Sequence, residues 1–117
     1  MIRRLDKDYE VKCTLGTIRE IERTLGKGFF EILKNITELT TEQQLKMLYA
    51  GVKKLNPDLG YEKFIVLCED YLGMGDLMDC LEKYVYALQY PGLSEQEVQQ
   101  KIEKKLQRNR EMQAKQG

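Results

Sequence analysis

Apolar positions along this chain follow two periods. Tyr9, Val11 and Cys13 alternate with Glu10 and Lys12, the two-residue repeat of a half-buried strand. With Ile2 to Leu5 across the polar turn Asp6-Lys7-Asp8, they predict a small β-hairpin over residues 1–13. A lone hairpin is marginal in water, so it must lie against helices or pair with another chain. From Leu15 onward the repeat is helical. Leu15, Ile18, Ile21 and Leu25 share one face, Glu22 turns outward, and Gly26 follows as a C-cap. "GFFEILKNI" crowds Phe29, Phe30, Ile32, Leu33 and Ile36 into a short apolar helix that reads as core.

The best-signposted helix lies in "LTTEQQLKMLYAGVKKLNPDL". Thr40 or Thr41 can cap it, with Gln43 or Gln44 completing a capping box. Leu45, Leu48, Tyr49, Val52 and Leu55 form the stripe, and Asn56-Pro57 stops it. Gly51 is the anomaly, because an interior glycine costs a helix about 1 kcal/mol relative to alanine. A close crossing by another helix, with Ala50-Gly51 as the low spot, would offset that cost. Two further helices follow, one with Phe64, Ile65, Cys68, Tyr71 and Leu72 on a broad face. The other is capped by Asp76 and turns Leu77, Leu81, Tyr84, Val85 and Leu88 inward. After Pro91-Gly92 a last helix opens on a Ser94/Glu97 capping box with Leu93 and Val98 as its staple. Beyond that start the stripe continues only through Ile102 and Leu106, one residue per turn. So narrow a stripe either docks lightly or waits for a partner.

The predicted fold is therefore mainly α (α+β): a compact bundle of about five to six helices with a small N-terminal β-hairpin. Residues 1–92 form the helical body, and residues 93–117 a charged C-terminal helix and tail of the same domain. At 117 residues the chain fits one core. Nineteen basic and nineteen acidic side chains cancel, which argues against a protein built to grip phosphate backbone. The cancellation is uneven. Residues 69–82 carry Glu69, Asp70, Asp76, Asp79 and Glu82 with no base, whereas Lys101, Lys104, Lys105, Arg108, Arg110 and Lys115 crowd the end. No apolar run approaches the roughly 18 to 20 residues of a membrane span, and "MIRRLDKDYE" does not open a signal peptide. No membrane is expected, and the expected location is the cytoplasm.

Chemistry is sparse. The absence of histidine removes Ser-His and Cys-His pairs and the usual proton shuttle. Three cysteines, Cys13, Cys68 and Cys80, form no C-x-x-C pair, so reduced buried thiols are the simplest reading. "LGKGFF" lacks the phosphate-loop frame. "DYLGMGDLMDCLE" puts Leu72, Met74 and Leu81 where a calcium loop needs oxygen ligands. Glu20 with Glu22 and Asp76 with Asp79 read as solvated surface. A helix-turn-helix over residues 42–72 would present Glu62, Glu69 and Asp70 to DNA, the wrong field for a major groove. The expectation is no enzyme, no catalytic residue, no cofactor, no metal and no nucleic acid.

Three stretches, "LGTIREIERTLGK" after a hairpin, "LYAGVKKLNPDL" on a capped helix and "GDLMDCLEKYVYALQ", together resemble the tail assembly chaperones of long-tailed bacteriophages and prophages. The resemblance runs from about Tyr9 to Gln89, and the charged helix after Pro91 departs from it. It implies a binding protein, absent from the finished virion and acting in the host bacterial cytoplasm. Such a protein coats and solubilises the tape measure protein, recruits tail tube subunits and self-associates along its client. Many such chaperones are made in two forms, and this chain resembles the shorter. The alternative is a small phage or prophage regulator binding nucleic acid through its basic C-terminal helix. A chaperone for a helical client needs apolar surface that accepts amphipathic segments. The candidate surfaces are the hairpin edge, Ala50 with Gly51, and the stripe Leu93, Val98, Ile102 and Leu106.

Overall fold

Thr40 starts the helix around which the others assemble. Its hydroxyl accepts the Gln43 N–H at 3.1 Å, while the Gln43 side-chain oxygen accepts the Thr40 N–H at 2.9 Å. The computed structural model describes residue 5 and residues 7–116, with side chains as far as residue 108. Among them it has six α-helices: α1 Leu15–Leu25, α2 Phe29–Lys34, α3 Thr41–Leu55, α4 Tyr61–Tyr71, α5 Met74–Gln89 and α6 Glu95–Gln116. A 3-10 turn at Ile36–Glu38 joins α2 to α3.

Helix α3 touches α1, α4 and α5. Being surrounded, it buries more than one stripe: Met47, Ala50 and Gly51 join Leu45, Leu48 and Val52 in the interior. Leu55, expected inward, lies at the end of the helix and is 45% exposed. The core is completed by Ile21, Ile32, Phe64, Leu81 and Tyr84. The dense run after Gly28 is only half core. Phe29 and Ile32 are buried, but Phe30 points outward at 85% exposure, its ring tilted against Phe29.

Local chemistry explains the helix ends. Gly26 adopts φ 69°, the left-handed conformation that glycine enters without penalty, and its N–H bonds the Glu22 carbonyl at 2.8 Å. The Glu22 carboxylate does not face solvent as expected but accepts the Phe29 N–H at 2.9 Å, a negative group at the start of α2. Asp76 is not the N-cap of α5. It sits in the first turn and reaches back to accept the Gly73 N–H at 2.9 Å. Ser94 and Glu97 make the expected reciprocal pair, at 3.2 and 3.4 Å. Replacing Thr40 with alanine orphans the Gln43 amide at the start of the central helix. A loss of about 1 kcal/mol in urea unfolding is the expected result.

The N-terminal β-hairpin is not supported. Tyr9 makes one isolated bridge, the described residues contain no strand, and the Ile2–Arg4 half lies outside them. The alternation that suggested a strand is nevertheless real: Tyr9 is buried, Val11 and Cys13 are half-buried, and Glu10 and Lys12 are exposed. The surface it answers to is a helix. The Lys12 N–H bonds the Gly51 carbonyl at 3.0 Å, and the buried Thr17 hydroxyl donates to the Lys12 carbonyl at 2.7 Å. The Asn56 amide donates to the Glu10 carbonyl at 3.0 Å. Residues 10–12 are thus an extended strap laced across the C-terminal half of α3.

Candidate binding groove

The strap, α5 and the start of α6 do not close on one another. Between them lies a groove of about 650 Å³, with Val11 and Cys13 on one side and Leu93 and Val98 on the other. Leu48 of α3 and Tyr84 of α5 are buried side chains that line it, and Leu72 and Ala87 add half-buried apolar surface. The charged residues of the lining are Asp76, Asp79 and Glu95 against Lys83, three carboxylates to one ammonium. Asp79 pairs with Lys83 at 3.2 Å, and Asp76 holds the start of α5.

Tyr84 is the polar landmark. Its hydroxyl donates to the Met47 carbonyl at 2.7 Å and stands beside Gly51, tying α5 to α3 beneath the groove. Burial pushes its phenol well above the ordinary value. Cys13 and Cys80 also line the groove, and both are free thiols. Desolvation raises Cys13 to about 11, and burial first and Asp79 second raise Cys80. Both are therefore protonated at neutral pH and poor nucleophiles. The groove offers apolar surface and an acidic edge. The carboxylate pairs singled out in the sequence hold structure together. Glu20 takes a 2.6 Å hydrogen bond from Lys53, which holds its carboxyl below the ordinary value, and also pairs with Arg23. Among the described residues no cluster of three or more potential metal ligands forms.

The six candidate partner residues are scattered. Gly51 is covered by this chain: a β-carbon there would meet Val11 at 2.5 Å, the Lys12 carbonyl at 2.9 Å and the Tyr84 hydroxyl at 3.0 Å. The close approach expected at this glycine therefore exists, but the strap makes most of it, and a helix contributes one phenol. Ala50, 3% exposed, turns the other way onto a small cavity of about 180 Å³ beside Tyr49 and Tyr61. Leu93 and Val98 line the groove. Val98 and Ile102 are 4% and 5% exposed, yet neither joins the main core, and the principal neighbour of α6 is α5. Leu106 is 49% exposed. The stripe is therefore covered by its own chain as far as Ile102 and uncovered beyond it.

Sequence reasoning missed the groove's inner wall, Leu48, Leu72, Tyr84 and Ala87. The small side chain of Ala87, one turn after Tyr84, was the available signal for a gap on that face. No family model, curated protein or solved structure matches this chain. No described helix is long and apolar enough to cross a membrane.

Proposed function

We propose that this chain is a tail assembly chaperone. It binds amphipathic helical segments of a tape measure protein, keeps them soluble and hands them to tail tube subunits. The observation that carries the reading is the open, apolar groove beside a helix that buries two side chains, Val98 and Ile102, among its described residues. A groove with apolar walls and an acidic edge suits one face of an amphipathic helix. The protonated thiols leave binding as the groove's chemistry. Its proposed place of action is the host bacterial cytoplasm.

The competing reading, a nucleic-acid-binding regulator, relies on the basic residues of α6. Two of them are partly engaged within the chain: the Lys101 ammonium lies 4.8 Å from the centre of the Tyr90 ring, and Lys105 lies 6.0 Å from Tyr86. Co-expression with a tape measure protein separates the readings. A severalfold rise in soluble client is expected, and it should be lost when Ala87→Arg fills the groove with a buried charge. A client equally insoluble with and without the chain would overturn the proposal. Salt-sensitive retention on duplex DNA, abolished by reversing Lys104, Lys105 and Arg108, would favour the regulator.

A further inference from the structure

The groove and the far half of α6 are complementary, and they belong to the same sequence. From residue 103 to residue 108 every side chain of α6 is exposed over more than a full turn of helix, although the Lys105 ammonium lies 6.0 Å from the Tyr86 ring. Leu106 continues the apolar stripe past the buried Ile102 and is 49% exposed. Around it stand Lys104, Lys105 and Arg108, while the one acid, Glu103, takes a hydrogen bond from Gln99 at 3.3 Å. This is a basic helix face with an apolar centre. The groove is its counterpart, an apolar trough whose charged lining is three carboxylates to one ammonium.

We propose that the groove of one copy receives the Lys104–Arg108 turn of α6 from a second copy, with Leu106 entering beside Leu72 and Ala87. Lys104 and Arg108 then approach Asp79 and Glu95. Donor and acceptor surfaces differ, so the contact either closes reciprocally into a dimer or continues from copy to copy as a row. Docking within one chain is opposed by the order of α6 itself. Its first turns form a wall of the groove, and a continuous helix cannot fold its own distal half back into the space beside them. The inference rests on the chaperone reading in one respect only: a client helix in the same groove would displace the second copy, so this contact belongs to the chain without its client and is not the association along the client that the resemblance implies.

Charge exchange tests it on the full chain alone. Sedimentation velocity at low salt should show a mass that grows with concentration and falls back toward the monomer as salt rises. Reversing the donor (Lys104→Glu, Lys105→Glu, Arg108→Glu) should weaken association at least about tenfold, as should reversing the acceptor (Asp79→Lys, Glu95→Lys). All five positions are exposed, and circular dichroism checks that the variants stay folded. Mixing the two variants should restore association, because a now-acidic helix meets a now-basic groove. A wild type that is monomeric at every concentration overturns the proposal, and so does self-association that neither reversal weakens. A mixture no more associated than its components overturns the pairing of these two surfaces. The client plays no part in these readouts, so the chaperone reading can fail in co-expression while this contact stands, and the reverse.

Discussion

Replacing Gly51 with leucine is expected to destabilise the chain by about 3 kcal/mol or more, among the largest effects a single substitution should produce here. Alanine in place of an interior helical glycine ordinarily gains about 1 kcal/mol. At this position the first added carbon meets Val11 at 2.5 Å and the Lys12 carbonyl at 2.9 Å. The carbonyl cannot drift aside, since the Thr17 hydroxyl holds its oxygen and the Lys12 N–H is bonded to Gly51 itself. The Tyr84 hydroxyl on the remaining side is fixed by Met47. Even Gly51→Ala should therefore lose stability, by about 1–2 kcal/mol, with the clash outweighing the propensity gain. Leucine adds three more carbons with nowhere to go and should detach the strap. Urea unfolding reads both, and full stability of the leucine variant would show that the close approach is absent. Detachment also removes Val11 and Cys13 from the groove wall, so on the proposed chaperone reading the same variant should lose client solubilisation before the helical body unfolds.

Gly51 also marks where sequence reading succeeded and where it stopped. Features carried by neighbouring residues were legible: the Thr40/Gln43 and Ser94/Glu97 boxes, the left-handed stop at Gly26 and the end of α3 at Asn56. Each is a contact within a few positions of the chain, so the pattern and its cause lie together. The interior glycine likewise announced a close approach, but its other party is 39 positions away and could not be named. The strap shows the ambiguity plainly. Alternation at Tyr9, Val11 and Cys13 states that one side of an extended segment is buried, and it is silent on whether the burying surface is a strand or a helix. Asn56 decided the matter, offering its side chain to Glu10 as well as to Val52 on its own helix. Phe30 and Leu55 failed for a related reason, since hydrophobicity predicts a preference for the interior and not whether a neighbour arrives to cover the residue. The groove was least legible of all, because it is made where α5, α6 and the strap fail to meet. Of its lining, only Leu93 and Val98 on the last stripe and the acids without bases between residues 69 and 82 were visible beforehand.

Alkali should unfold this protein more sharply than its composition suggests. With no histidine to titrate, stability should be nearly flat through neutral pH. Above about pH 9 three desolvated groups act together. Desolvation raises Cys68 from 9.0 to about 12 and Cys13 from 9.0 to about 11, and burial raises Tyr84 well above 10.0. Each is neutral when protonated and charged when not, so the folded chain holds its proton more tightly than the unfolded chain. Below the ordinary thiol value both states are protonated and folding gains in full. As pH rises from about 9 toward the folded values, the unfolded chain sheds protons that the folded chain keeps, and the free energy of unfolding falls. Cys68, only 3% exposed, should by itself account for a loss on the order of 2 kcal/mol near about pH 10.5. Urea midpoints at about pH 8 and about pH 10.5 should therefore differ clearly at unchanged slope. Cys68→Ala should start lower, through the small cavity it leaves, yet fall less over the same interval. Tyr84→Phe should flatten the upper end, at the cost of about 1–2 kcal/mol for the bond to the Met47 carbonyl. Coincident midpoints at the two pH values would mean that these thiols ionise as freely in the folded chain as in the unfolded one. The groove wall at Cys13 would then be wetter than the packing of strap against α3 requires.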